Sequence, residues 1–238
     1  MAKSEPLLRR SIVLSIRLVS VMFRDVKKSV RNVILDLFAV ALVCMIPMPA
    51  FAQSLADCVV EISTQRSDGL AWHGSGIIVG DDKSTVEIVT VAHIVRSNDF
   101  TVTFHSGESV SGHVKATFLP GHDLAFFNLW GVQKRYPVAV LGDDSNVVDG
   151  TAIGDPVDQD GWVESQVTYL TTTDSYIVYT RGTVSEGDSG APVFNSRGEV
   201  VSLLVAVGKA TIDDRKVDVS LGEDVRYIRK LLGMDEAS

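Results

Sequence analysis

The chain has 238 residues, of which 45% are hydrophobic and 22% charged, enough to bury a core and too apolar to read as disordered. Of its 22 basic and 30 acidic residues the first 52 positions hold eight and three, so 14 and 27 remain beyond them, a net charge of −13. That balance argues against nucleic acid or an anionic membrane as the partner of the larger part.

The first segment reads as an export signal. The run "LFAVALVCMIPMPAFAQS", starting at Leu37, has the length of a signal-peptide core and ends in Ala50-Phe51-Ala52, a small-x-small cleavage site. Lys27, Lys28 and Arg31 supply the positive flank, while Pro47 and Pro49 break a helix just before the cut. Residues 1–52 are therefore expected to leave as a signal peptide with a long basic leader, and the unusual length of that leader points to Met22 as the true start. The Arg9-Arg10 pair lies too far upstream to mark a twin-arginine signal. The uncharged run is short for a membrane span. Membrane contact is expected only if this segment stays uncleaved. Of the two cysteines, Cys44 departs with the signal, and Cys58 alone makes no internal disulfide. Cys58 reads as a small core residue.

Beyond residue 52 the chain is a series of short runs rich in Val, Ile, Thr and aromatics, separated by turn residues. "CVVEIS", "GSGIIVG", "TVEIVTVA", "FTVTF", "SVSGHVKATFL" and "LAFFNLW" read as strands of one half. A less apolar crossing around Pro137 follows. "TAIGD", "ESQVTYLTTT", "SYIVYT", "APVFN" and "EVVSLLVAVG" read as strands of a second half. Such spacing predicts barrels or sandwiches rather than α/β units. "LGEDVRYIRKLLG" departs from the pattern: Val225, Ile228, Leu231 and Leu232 fall at helical spacing, with acids at its start and Arg229 and Lys230 near its end, as a helix dipole favours. Almost nothing follows it, so no appended peptide-binding domain is expected.

The candidate chemistry centres on "EGDSGAPVF", residues 186–194. A serine hydroxyl needs a base to take its proton and donors for the oxyanion it creates. Gly187 lets the chain turn so that its amide and that of Ser189 point inward, and Gly190 leaves room beside the hydroxyl. Among five histidines, His93 lies at the end of a strong strand in "VTVAHIV"; His73, His105 and His113 read as surface residues. Asp123, in "HDLAFFNL", runs straight into an apolar strand and is the candidate carboxylate. Its neighbour His122 faces the other side of the chain.

In that order, "TVAHIV", "HDLAFFNL" and "EGDSGAPVF" resemble the His, Asp and Ser blocks of trypsin-like (chymotrypsin-fold) serine peptidases. The style is that of disulfide-free bacterial members such as the glutamyl endopeptidases and the high-temperature-requirement proteases, and the match covers most of residues 56–232. The resemblance implies an all-β chain of two antiparallel six-stranded β-barrels, about 56–132 and about 138–221, with a C-terminal helix at about 222–232, all within a peptidase domain of residues 53–238. It implies His93 as general base, Asp123 as its orienting partner, Ser189 as nucleophile, and the Gly187 and Ser189 amides as oxyanion hole. It further implies a protein or peptide substrate and no cofactor or metal; the leader and the lack of disulfides point to a bacterium, with the periplasm or the extracellular medium as destination.

Departures from the family pattern shape the remaining expectations. Ala191 replaces the second glycine after the serine. There is no activation sequence whose freed N-terminus could pair Asp188, so Arg181 or Arg197 is the expected partner, or else the site is held latent until triggered. Thr183 stands where trypsin has its acidic pocket residue, and the strand after the serine lacks the glutamyl endopeptidases' histidine. With Leu204, Val205 and Ala206 as its wall, the pocket is expected to take small or medium apolar side chains. The rival expectations are a non-catalytic binding or scaffold role and a membrane-tethered protease.

Overall fold

A computed structural model describes residues 54–65, 71–143, 149–154, 161–212 and 214–234, all within one compact unit, Gln53–Ser238. The signal-peptide reading falls on residues 1–52, outside the described residues. Seven strands form the first antiparallel sheet: β1 (Val59–Gln65), β2 (Ala71–Asp82), β3 (Thr85–Thr90), β4 (Asp99–Phe104), β5 (Ser109–His113), β6 (Thr117–Phe118) and β7 (Ala125–Trp130). Their spatial order is β5-β4-β1-β2-β3-β7-β6. The second sheet holds β8 (Gly150–Gly154), β9 (Val163–Val167), β10 (Tyr169–Thr172), β11 (Ile177–Thr180), β12 (Pro192–Phe194), β13 (Val200–Ile212) and β14 (Arg215–Asp224), in the order β10-β11-β14-β13-β12-β8-β9. A short helix, α1 (Val225–Leu231), follows.

Alternation drives the pattern. In β4, Phe100, Val102 and Phe104 are buried while Thr101 and Thr103 lie partly exposed, the period of two that places one face on a core. The first sheet wraps Val60, Ile62, Ile78, Ile88, Phe104 and Phe127. The second wraps Ile177, Tyr179, Val193, Val201 and Leu204. A third cluster joins the halves: Ile77 and Val89 from the first sheet meet Phe194 and Leu203 from the second, and Ile228 of α1 closes it. Each fully buried aliphatic of this kind contributes roughly 1.5–3 kcal/mol, so the halves are held together by packing.

Among the described residues each sheet has seven strands rather than the expected six. "SVSGHVKATFL" divides into β5 and β6 because Val114 turns inward between them, its N–H donating to Asn98 O at 2.9 Å. "ESQVTYLTTT" likewise breaks at Thr168, which exchanges hydrogen bonds with Thr180 instead of continuing its ladder. β14 was not legible as a strand, because its first half is exposed and charged. Its ladder with β13 extends through Glu223 opposite Leu203 and Asp224 opposite Ser202. The helix therefore starts at Val225, not at 222. Asp224 caps it, accepting the Arg226 N–H at 2.9 Å, and Glu223 lies outside the helix altogether.

Candidate active site

The three candidate residues come from three separate chain turns. β3 ends at Thr90, and a single 3-10 turn, Ala92–Ile94, presents His93. The buried Thr64 hydroxyl pins that turn by donating to Ile94 O at 2.7 Å. Asp123 sits in the tight turn before β7, where Leu119 N–H reaches across to Leu124 O. Ser189 follows Gly187 (φ +99°) and precedes Gly190 (φ +87°), both in the left-handed region that glycine adopts at little cost. At Gly190 a side chain has no room: a Cβ there would collide with Ser75 O and would lie 2.7 Å from the Thr90 hydroxyl.

These turns meet. His93 Nδ1 lies 2.6 Å from Asp123 Oδ2, His93 N–H donates to Asp123 Oδ1 at 2.9 Å, and His93 Nε2 lies 2.9 Å from Ser189 Oγ. An ionised carboxylate only accepts hydrogen bonds, so the ring proton belongs on Nδ1 and the Nε2 lone pair faces the serine hydroxyl. Burial, the largest single influence on Asp123, pushes its carboxyl up. The hydrogen bond and charge of His93, with backbone N–H groups of His93 and Ala92, outweigh it and hold the carboxyl below the usual aspartate value. The serine loop is tied to the first sheet by Ser75 N–H to Ser189 O at 2.7 Å, and Ser75 O in turn takes the Thr90 hydroxyl at 2.6 Å. It is tied to the second sheet by Gly190 N–H to Leu204 O at 2.7 Å. Among the described residues, neither the Gly187 nor the Ser189 N–H has an intramolecular acceptor.

Beside Ser189 lies a pocket of about 90 Å³ lined by Val184, Ser185, Glu186, Asp188, Leu204, Ala206 and Val207. Of the four residues expected in the pocket, Leu204 and Ala206 line this one. Val205 and Thr183 do not. Val205 is the extra residue of a β-bulge in the β13–β14 ladder, and packs with the first sheet's core instead. Thr183 bonds its hydroxyl to Ser165. Val184 and Val207 take their places in the lining. The bulge, which only the pairing with β14 reveals, is what shifts the alternation. Asp188 is buried and accepts the Ser185 N–H at 2.9 Å. The two arginines expected beside it are engaged elsewhere, Arg181 with Val184 O and Arg197 with Glu199.

The other histidines pair through Nδ1 with carboxylates: His73 with Glu61, His105 with Asp57, His113 with Asp99 and His122 with Glu223. The last of these reaches the site. Glu223 accepts the Asp123 backbone N–H at 2.8 Å. Nothing in "LGED" signalled this, because adjacent acids before an amphipathic run read as the start of a helix.

Two antiparallel sheets, a turn-borne histidine between a carboxylate and a serine, and a glycine-framed serine loop define the architecture of a chymotrypsin-fold peptidase domain. The family model for the trypsin-like peptidase domain matches residues 74–203, more than half of the chain, and the chain belongs to that family. Among known proteins it is 30% identical over 156 residues to HhoA of Synechocystis sp., a candidate serine protease by name, covering 60% of this chain and 39% of HhoA. It is 26% identical over 144 residues to a DegP-like protein of Brucella suis, named for periplasmic serine endoprotease activity, covering 56% of this chain and 27% of the relative. It is 29% identical over 146 residues to the Do-like serine protease HtrB of Bacillus subtilis, covering 54% of this chain and 31% of HtrB. The chain thus spans well under half the length of these relatives. The solved structure of the HtrA-type protease AlgW with a tripeptide superposes with a TM-score of 0.61 at 15% identity, over 76% of this chain and 61% of that one, a likeness of fold.

Proposed function

We propose that this chain is an exported serine endopeptidase that cleaves peptide bonds through His93, Asp123 and Ser189. The observation that carries the reading is the continuous relay of 2.9 Å from Ser189 Oγ to His93 Nε2 and 2.6 Å from Nδ1 to Asp123. In the first half-reaction Ser189 Oγ attacks the scissile carbonyl carbon while His93 Nε2 takes the hydroxyl proton. The carbonyl oxygen becomes an oxyanion facing the Gly187 and Ser189 N–H groups; each such donor is worth about 2.7–4 kcal/mol in the transition state. His93 returns its proton to the leaving amine as the carbon–nitrogen bond breaks, leaving an acyl-serine. Water then replaces the amine: His93 takes a proton from it, the water oxygen attacks the ester carbon, and the proton goes back to Ser189 Oγ. Asp123 stays ionised throughout, holding the ring's tautomer and stabilising the imidazolium.

The small pocket favours small or medium apolar side chains before the cleaved bond, since four of the seven residues that line it beside Ser189 are Val184, Leu204, Ala206 and Val207. Export is supported by the leader ending at Ala52 and by the periplasmic protease name of the Brucella relative. Fluorophosphonate labelling of the purified chain tests the chemistry. Labelling that disappears in Ser189→Ala and in His93→Ala supports the reading; an unlabelled folded chain removes it. A peptide library cut mainly after Arg, Lys or Glu would overturn the pocket assignment alone.

A further inference from the structure

The second sheet sends one buried carboxylate into the loop that carries Asp123, and the peptidase mechanism has no step for it. Glu223, near the end of β14, is only 1% exposed. Both of its oxygens are used. Oε1 accepts the Asp123 backbone N–H at 2.8 Å, and Oε2 accepts the His122 Nδ1–H at 3.1 Å. The His122 ring lies against Tyr227 of α1, with centroids 3.6 Å apart. A buried carboxylate is a costly choice where an apolar side chain would pack as well. An apolar residue could not, however, accept the Asp123 N–H.

We infer that Glu223 is a positioning residue for the reaction, fixing the Asp123 loop of the first sheet to the strand pair that also fixes the Ser189 loop. This rests on the peptidase reading above. The connections form a closed circuit. Ser189 is followed by Gly190, whose N–H binds Leu204 O of β13. Leu204 adjoins Leu203, which lies opposite Glu223 in the β13–β14 ladder. Glu223 holds the Asp123 backbone, Asp123 holds His93, and His93 Nε2 returns to Ser189 Oγ at 2.9 Å. The base and its carboxylate belong to one sheet and the nucleophile to the other. The distance between Nε2 and Oγ therefore depends on the registration of the two sheets, and Glu223 is a direct polar tie that sets it from the carboxylate side.

What matters in this account is the reach of an acceptor oxygen, not the charge. Two variants of the full chain separate these. Glu223→Gln keeps the length and an oxygen for Asp123 N–H but drops the charge. Glu223→Asp keeps the charge and shortens the reach by one methylene. Steady-state hydrolysis of a peptide ester and the low-field proton resonance of the His93 Nδ1–H hydrogen bond are the readouts, with folding checked by circular dichroism. Glu223→Gln is expected to retain far more of kcat than Glu223→Asp, and to keep the resonance, since its one oxygen still accepts the Asp123 N–H. Glu223→Asp is expected to lose about 100-fold in kcat at unchanged KM, the loss that a displacement of about 1 Å brings, and to shift or broaden the resonance. The reverse order, with Gln impaired and Asp normal, overturns the inference, as does normal kcat in both. If the unaltered chain hydrolyses nothing and takes no fluorophosphonate, the peptidase reading fails instead. The resonance in the same two variants still decides whether Glu223 positions the Asp123–His93 pair.

Discussion

At the scale of single residues the site is a matter of who accepts and who donates. Asp123→Asn places an amide where His93 Nδ1 needs an acceptor, and kcat is expected to fall about 10,000-fold with the fold intact, measured on the same ester substrate. The same residue carries a pH dependence. Its folded-state carboxyl is held below the ordinary aspartate value. It therefore adds stability that is complete above the unfolded pKa of about 3.9 and is lost as pH falls through the lower folded value. The gap in urea midpoint between the unaltered chain and Asp123→Asn should be level above about pH 5 and close below about pH 4; a gap that widens on acidification contradicts the assignment. Cys58 gives a second residue-level outcome. Burial, with a smaller push from Asp57, raises its thiol to about 11, against a smaller lowering by a backbone hydrogen bond. Native protein at about pH 8 should resist thiol reagents that modify it at once in urea. His93, Asp123 and Ser189 were legible in the chain because each lies in a motif whose local order is itself informative: a strand end, an acid leading into an apolar strand, a serine framed by glycines. Glu223 was not, because its partner Asp123 is 100 residues away.

At the scale of elements, the chemistry depends on loops gripped by strands. The Ser189 turn is held between β2, through Ser75, and β13, through Leu204. Gly190 is where β2 and β3 press on that turn. Gly190→Ala forces a Cβ against Ser75 O and the Thr90 hydroxyl in a backbone conformation that L-residues rarely adopt. Overpacking and strain of this kind cost about 1–3 kcal/mol each. The variant is expected to melt several degrees lower and to lose labelling at Ser189 even where it stays folded. Thermal melts beside probe labelling would show it, and full labelling at a normal melting temperature would speak against the described contact. Element boundaries were legible where alternation was strong, as in β4 and β7. They were not where neighbours decide. β14 carries too much charge in its first half to announce a strand. It pairs because β13 offers a partner edge, and that pairing moves the start of α1 to Val225 and bulges the chain at Val205.

At the scale of the whole molecule, two sheets with separate cores share a third cluster, and the site spans their junction. This arrangement makes activity sensitive to how the sheets register, so mild denaturation is expected to abolish turnover before the cores melt. Activity and near-ultraviolet circular dichroism followed through one urea titration would show it; coincident loss of both would mean that the junction is as stable as the cores. If the leader is cleaved as its small-x-small end suggests, protein recovered from the periplasm or medium begins at Gln53 by N-terminal sequencing, and a start upstream of Ala52 removes the cleavage assignment.

The sequence by itself determined the all-β class, the order of most strands and the three residues proposed to react, because alternation, turn chemistry and short motifs are local properties of the chain. Only the tertiary structure decided the seventh strand of each sheet, which residues line the cavity beside Ser189, the carboxylate behind Asp123 and the partners of Arg181 and Arg197. Each of these depends on contacts between segments far apart in the chain, whose outcome is set by which ladder pairs and which core closes, and no local pattern encodes that competition.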